Sequence, residues 1–346
     1  MKLKDISCYI KKKKVVVFGT GEYSKVLANQ NIEIDYYVDN DTTKWGTLYN
    51  NINVFSPETL KTENYADIIV LVASMYYGEI SIQLNNYGLI ENENYFDALF
   101  IVTYKDKSVY EQLVSMENKH LGKRAFIIGN GPSLKIKDLE KIKNEISFAS
   151  NQVFLSFPET SWRPTYYTVI DTLVAEQNTQ EISNVATQKF MCGKSKRFYP
   201  MSQDICWLRR LRHKEYINED LPFSKDLTKG YYNGFSVIYT QLQIAYYMGI
   251  QEVYLLGVDF DYKINNIKQD SLDGVINVNG NDLGYFHKNY IKEGQVWRIP
   301  KLDEQYKFFE KAKLVYESNN RLIYNASRKT KLDIFDCVNL DNIIPR

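Results

Sequence analysis

From Lys14 to Thr20 the chain reads Lys-Val-Val-Val-Phe-Gly-Thr, an unbroken apolar run closed by glycine. A strand buried on both faces requires such a run. A helical stretch from Lys25 to Asn29 follows, then Ile34-Asp-Tyr-Tyr-Val-Asp39, a second strand that ends on an acidic residue. Together they form a βαβ opening. Ile52 to Phe55, a helix start at Ser56-Pro57-Glu58 and the run Asp67-Ile-Ile-Val-Leu-Val-Ala-Ser74 continue the alternation. Residues 1–103 are therefore expected to form one α/β unit, and the polar, helix-compatible residues 104–122 a connector.

Lys123-Arg-Ala-Phe-Ile-Ile-Gly129 restarts the pattern, and Ile146 to Ser150, Tyr166 to Ile170 and the segment at Phe190 read as further short strands. Apolar residues at 235, 238, 242, 245 and 246 have helical spacing, Gly249 stops that helix, and Glu252-Val-Tyr-Leu-Leu-Gly257 is the next strand. The Asn-, Asp- and Gly-rich stretch within 263–295 is longer than a structural connection needs and is expected to be an active-site lid. Pro300 to Ser318 reads as an amphipathic helix, Arg321 to Ala326 as a last strand, and the remainder as a peripheral tail. The predicted fold is α/β, two Rossmann-like domains with mainly parallel sheets flanked by helices, the second spanning 123–346.

Composition removes several function classes. A chain of 346 residues, 44% of them apolar, can bury two cores. Its 43 basic and 42 acidic side chains nearly cancel, so no global field draws nucleic acid, and any phosphate must be met locally. The four cysteines, Cys8, Cys192, Cys206 and Cys337, show no paired spacing and read as reduced thiols. Met1 to Lys14 carries lysines without a long apolar stretch, and no run approaches the roughly 18 apolar residues of a membrane span. A cytoplasmic protein without a transmembrane segment is expected, with its oligomeric state open. The 28 tyrosines are composition bias.

Two glycine-rich turns carry the candidate chemistry. In Gly19-Thr-Gly21-Glu-Tyr-Ser24, backbone N–H groups at a helix start would approach phosphate, and Asp39 would accept ribose hydroxyls. The third glycine of such a motif is replaced by Ser24, and turns of this kind also serve strand-to-helix packing alone. Gly129-Asn130-Gly131-Pro132-Ser133 adds a rigid proline and two polar side chains directly after a strand, so Asn130 and Ser133 can both contact a diphosphate or ribose. Equally, this is a decorated turn with Ser133 as helix cap.

Ile128-Gly-Asn-Gly-Pro-Ser-Leu134 and Phe148-Ala-Ser-Asn-Gln-Val-Phe154 resemble the two opening motifs of bacterial family-42 sialyltransferases and of Maf flagellin glycosyltransferases. Asn233-Gly234 opening the helix that leads to Gly257-Val-Asp-Phe260, and the isolated His287, complete four ordered matches over roughly Lys123 to Ala326. The same stretch is similar to the 6-hydroxymethylpterin pyrophosphokinase-like family, to which Trp162-Arg-Pro-Thr-Tyr-Tyr-Thr-Val-Ile-Asp171 and Asn325-Ala326 look closer. Val38-Asp39-Asn40, Gly46 and Ser56-Pro57-Glu58 resemble the Rossmann-like units beside bacterial surface-sugar enzymes, which implies a nucleotide-sugar accessory domain.

The resemblance implies roles. Asn130 and Asn151 would meet donor ribose and phosphate on a turn shaped by Gly129, Gly131 and Pro132, with Ser133 adding a donor and Gln152, Asp171, Asn233 and Gly234 completing the nucleotide site. His287 would be the general base. Tyr262, Tyr285, Tyr290 and Lys229 would neutralise the leaving nucleotide without an obligatory metal. Asp259 and Asp261 form a carboxylate pair able to hold Mg²⁺ across two phosphates, or else Asp259 caps a strand end and Asp261 is solvated. The basic run Arg209-Arg-Leu-Arg-His-Lys214 reads as a solvated helix face, although an acidic acceptor or membrane glycolipid could use it. His120 and His213 read as surface residues. The leading expectation is a glycosyltransferase-like enzyme moving a sugar, in that family of sialic-acid type, from a cytidine nucleotide to a cell-surface glycan or glycolipid. The alternatives are Mg-dependent pyrophosphoryl transfer from ATP to a hydroxymethyl group, and nucleotide-sugar binding without chemistry.

Overall fold

The computed structural model describes residues 10, 13–21, 23–28, 32–74, 76–91, 93–98, 107–199, 202–211, 221–263, 275–277, 284–292 and 294–344. The chain divides into two compact units, the first running to Glu111 and the second opening at Gln112.

The first unit is built on β1 (Lys14–Phe18), β2 (Tyr36–Val38), β3 (Leu48–Tyr49), β4 (Ile52–Phe55), β5 (Ile68–Val72) and β6 (Tyr95–Asp97). They form one sheet in the order β3-β4-β2-β1-β5-β6, parallel except for the β3–β4 hairpin. The two-residue period of a strand splits each apolar run between the faces. Val16, Phe18, Val70 and Val72 enter one core, and Val15, Val17, Ile69 and Leu71 the other. Ser56 caps the 3₁₀ turn Pro57–Thr62 by accepting from the Glu58 amide, as expected of Ser-Pro-Glu.

The second unit contains β7 (Arg124–Ile128), β8 (Ser147–Ser150), β9 (Tyr166–Val169), β10 (Gln188–Cys192), β11 (Ile205–Leu208), β12 (Arg210–Leu211), β13 (Tyr231–Tyr232), β14 (Glu252–Leu256), β15 (Val275–Asn277), β16 (Val296–Arg298), β17 (Leu322–Asn325) and β18 (Asp336–Cys337). Eight of these make a wholly parallel sheet, β11-β10-β9-β8-β7-β14-β17-β18. From β7 the chain steps outward one strand at a time to β11. It then returns through the helix Val237–Tyr247 to lay β14 on the other side of β7. The strand order therefore reverses between β7 and β14, and at such a point the crossovers diverge and leave a crevice at the carboxyl ends.

The helix Val237–Tyr247 departs from its amphipathic expectation, because Thr240, Gln241 and Gln243 are as buried as its apolar residues. Their amides are paired inside. Gln243 accepts from the Ser224 and Tyr232 amides, both at 3.0 Å, and donates to the Tyr232 carbonyl at 2.7 Å. Gln241 donates to the Ala149 carbonyl at 2.9 Å. These bonds fix the helix in place over the sheet, while Gln241 Oε1 and Thr240 Oγ1 are buried without a partner.

Several expectations change here. The end of the chain is more than a tail, because β18 pairs with β17 and Leu332, Phe335 and Leu340 are buried. Within 104–122, the helix Lys107–Val114 is followed by turns whose Asn118, His120 and Gly122 amides donate to the Tyr247, Met248 and Gly249 carbonyls. His120 is not a surface residue; its Nε2 lies 2.8 Å from the Tyr166 hydroxyl, and burial lowers its pKa. His213, Cys8 and the end of the basic run, Arg212 to Lys214, lie outside the described residues, as do 264–274 and 278–283 of the expected lid. The rest of that lid contributes β15, which pairs antiparallel with β16, and the turns at 284–292.

Candidate functional site

The first glycine turn is closed on itself. Gly19 has φ +104° and a Cβ there would stand 2.9 Å from the Ala73 carbonyl oxygen, so its glycine serves packing. Asp39 accepts from the Thr20 amide at 2.9 Å, the Thr20 hydroxyl at 2.6 Å, Lys44 at 3.1 Å and the Asp41 amide at 2.9 Å. Both carboxylate oxygens are thus engaged within the unit rather than offered to a ribose. Ser24 donates to the Gly21 carbonyl and to the Tyr49 hydroxyl. Desolvation pushes the Asp39 pKa up, and the hydrogen bonds from Thr20, Asp41 and Lys44 outweigh it, leaving the pKa below the ordinary value. A carboxyl depressed on folding adds stability above its unfolded pKa of about 3.9 and loses it as pH falls through the lower folded value. Asp39→Asn is therefore expected to flatten the acid limb of the stability curve below about pH 4, read by denaturant midpoints.

The second turn sits at the switch point, after β7 and against the end of β14. Four of the backbone amides here are already engaged. Gly129 donates to the Leu256 carbonyl, Gly131 to the Gly257 carbonyl and Leu134 to the Gly131 carbonyl. The Ser133 amide donates to Asp259 at 2.6 Å, and the Ser133 hydroxyl bonds the same carboxylate. Ser133 is thus the fastener of the turn and does not line the cleft. This reduces the expected phosphate cradle: the β7–β14 crossing takes the Gly129 and Gly131 amides, and Asp259 takes that of Ser133.

What does open at the switch point is a cleft of about 660 Å³ running along the carboxyl edge of the sheet. Gly129, Asn130, Gly131, Pro132, Asn151, Gln152, Asp171 and Asn233 line it. Asn130 donates through Nδ2 to the Ser150 carbonyl at 3.2 Å, which fixes its amide orientation and leaves Oδ1 buried without a partner. Asn151 Oδ1 and Ser150 Oγ are likewise buried and unpaired. Acceptors left in this state cost free energy unless something donates to them. Three cleft residues other than glycine also adopt left-handed backbone: Asn151 at φ +51°, Phe235 at +55° and Phe260 at +55°. Asparagine tolerates this region, whereas phenylalanine is strained there, and such strain gathers at ligand sites.

The remaining predicted residues are placed unevenly. Tyr262, Tyr285 and Tyr290 line the cleft together, with Tyr285 and Tyr290 stacked at 3.9 Å between ring centroids. Burial pushes the Tyr262 hydroxyl up to about 12 and raises Tyr285 and Tyr290 too, so all three stay neutral phenols able to donate. Tyr290 reaches the Asn151 side chain and the Gln152 backbone. Asp171 caps the helix Thr172–Gln177 and pairs with Arg298 at 3.6 Å. Asp259 is buried on Ser133, and desolvation raises its pKa, whereas Asp261 pairs with Lys331 at 2.7 Å. The two carboxylates face different partners. His287 does not line the cleft; its Nδ1 accepts from the Asn289 amide at 3.1 Å, one residue beyond Phe286, whose amide donates to the Asn130 carbonyl. Lys229 is 80% exposed, pairs with Asp226 at 3.8 Å and lies away from the cleft. Gly234 is also outside the lining, its glycine required because a Cβ would meet the Tyr239 ring at 2.6 Å.

Sequence reasoning missed Lys194, Arg210, Trp297, Arg298 and Lys301, all in the cleft wall. Arg210 had been read as part of a solvated helix face; it belongs to β12, paired in parallel with β13, and is carried into the cleft. The signal was available in Ile205-Cys-Trp-Leu208, an apolar run followed by charge. Among the described residues no helix is long and apolar enough to cross a membrane.

Comparison with known proteins agrees with this division. Residues 11–95 match the family described as C2185-like, N-terminal, and residues 100–265 match 6-hydroxymethylpterin diphosphokinase MptE-like. No curated protein matches the chain. Among solved structures, the Maf glycosyltransferase from Magnetospirillum magneticum AMB-1 aligns over 95% of this chain and 58% of its own at 13% identity, with a TM-score of 0.38. The chain therefore spans less than two thirds of that protein's length. The second glycine turn, Asn151 and Asp171 lie within the stretch that matches the MptE-like model, and the first glycine turn within the stretch that matches the C2185-like one.

Proposed function

We propose that the cleft of the second unit binds a nucleotide and that the protein is a transferase using a nucleotide-activated sugar as donor. The observation that carries this reading is the pair of buried, unpartnered amide oxygens, Asn130 Oδ1 and Asn151 Oδ1, on the wall of a cleft at a topological switch point. Both are acceptors, so their partner is a donor, and ribose hydroxyls or a base amino group fit. The three neutral tyrosines beside them are hydrogen-bond donors for a departing nucleotide. The acceptor in the proposed transfer is a surface glycan or glycolipid. His287 as general base requires the loop 284–290 to turn its ring toward the cleft.

A second reading, diphosphoryl transfer from ATP, is favoured by the likeness of residues 100–265 to the 6-hydroxymethylpterin diphosphokinase MptE-like family. It requires Mg²⁺, and the separate engagement of Asp259 and Asp261 speaks against it. Melting curves recorded with CMP, CDP, UDP, GDP, ATP and NAD, each with and without Mg²⁺, separate the two. At one hundred times Kd a ligand stabilises by about 2.7 kcal/mol. A cytidine nucleotide is expected to raise the midpoint regardless of Mg²⁺. A response to ATP plus Mg²⁺ alone would move support to diphosphoryl transfer, and no response to any nucleotide at millimolar concentration would overturn both.

A further inference from the structure

We propose that the phosphate oxyanions of the bound nucleotide are met by Lys194 and Arg210, about three strands away from the glycine turn, and not by that turn. The inference rests on the nucleotide reading above and assigns the charged end of the ligand within the same cleft.

The glycine turn is unsuited to an anion. Of its amides, those of Gly129, Gly131, Ser133 and Leu134 are already donated and Pro132 has none, which leaves that of Asn130 alone. Directly behind the turn lies the Asp259 carboxylate, with a Cβ at Gly131 falling 2.7 Å from its Oδ2. A phosphate placed there would face a buried carboxylate and find few donors.

Sheet register puts cations at the opposite end. Cys192 and Leu208, the last residues of β10 and β11, are aligned; two residues past them come Lys194, in the 3₁₀ turn Gly193–Phe198, and Arg210, in β12. Both thus follow the carboxyl ends of adjacent strands of the sheet. Both line the cleft that also holds Asn130 and Asn151. Asn151 follows β8, which lies two and three strand spacings, roughly 10 and 14 Å, from β10 and β11, the strands these cations follow. That is the reach from a nucleoside to its phosphates. The acidic group nearest this end of the sheet, Asp171 after β9, is compensated by Arg298. A guanidinium fork beside an ammonium suits phosphate oxygens, the first by bidentate geometry and the second as a point charge.

The full-length protein would be titrated calorimetrically with cytidine, CMP, CDP and inorganic pyrophosphate, as wild type, Lys194→Gln/Arg210→Gln, Asn151→Gly and Lys229→Gln. The wild type is expected to bind CDP and CMP more tightly than cytidine. In the double variant the nucleotides should weaken at least tenfold, to the level of cytidine, with cytidine itself unchanged and pyrophosphate binding lost. Asn151→Gly should weaken cytidine and both nucleotides alike, and the exposed Lys229→Gln should match wild type. If the double variant keeps the wild-type ratio of CDP to cytidine affinity, the inference falls while the nucleotide reading stands. If pyrophosphate binds and is lost in the double variant but no cytidine compound binds, the anion subsite stands and the cytidine nucleotide does not. Silence of the wild type toward all four overturns both.

Discussion

Gly129→Ala is expected to cost the second unit about 3 kcal/mol, the scale of overpacking a tightly packed core. The added methyl would stand 2.8 Å from the Gly257 carbonyl carbon and 2.9 Å from Val258 Cγ2. The carbonyl is backbone of the neighbouring strand end and cannot rotate away. It is also the acceptor for the Gly131 amide, so any shift that relieves the clash breaks a hydrogen bond on which the turn depends. For a unit of this size the thermal midpoint should fall by roughly 6–12 °C. Gly21→Ala is the matched control. Nothing lies within 4 Å of its built Cβ, so its midpoint should stay near wild type, and a loss as large as that of Gly129→Ala would mean that both turns are equally packed.

Removing the Asn151 side chain should have the largest effect on binding. Alanine is a poor probe, because φ is +51° and an L side chain there costs about 1–2 kcal/mol. Glycine takes that backbone freely, so Asn151→Gly isolates the amide. Loss of its hydrogen bond to a bound nucleotide should weaken affinity about tenfold, equivalent to about 1.4 kcal/mol. The unliganded protein should lose little stability, since the variant also removes a buried acceptor with no partner. Weaker binding at undiminished apo stability is the signature of a site kept for function. Weaker binding accompanied by a lowered apo midpoint of similar size would instead make Asn151 a structural residue.

Much of the scaffold was legible because it depends on local pattern. Val15 to Phe18, Ile68 to Val72 and Arg124 to Ile128 are apolar runs bounded by charge and turn residues, and each became a strand of a parallel sheet. Less visible were β12, β13 and β18, two-residue strands too short for any periodicity to register. The buried face of Gln241 and Gln243 was hidden for a related reason, because a polar side chain in a helix reads as solvent-facing unless its interior partners are known.

The sequence by itself determined the two α/β units, the alternation of strand and helix, and the presence of asparagines directly after glycine-rich or apolar strand ends. Tertiary structure alone decided which of those residues face a ligand. Whether an amide in the turn at 129–133 is free depends on the carbonyls of Leu256 and Gly257, more than 120 residues away, because a backbone donor binds whichever acceptor the fold brings near. Asp39 and Asp259 look like ligand-binding carboxylates in one dimension and are structural fasteners in three. Arg210 looks like solvated charge and lines the cleft, because pairing with β13, which a single strand does not encode, holds it just past the end of β11.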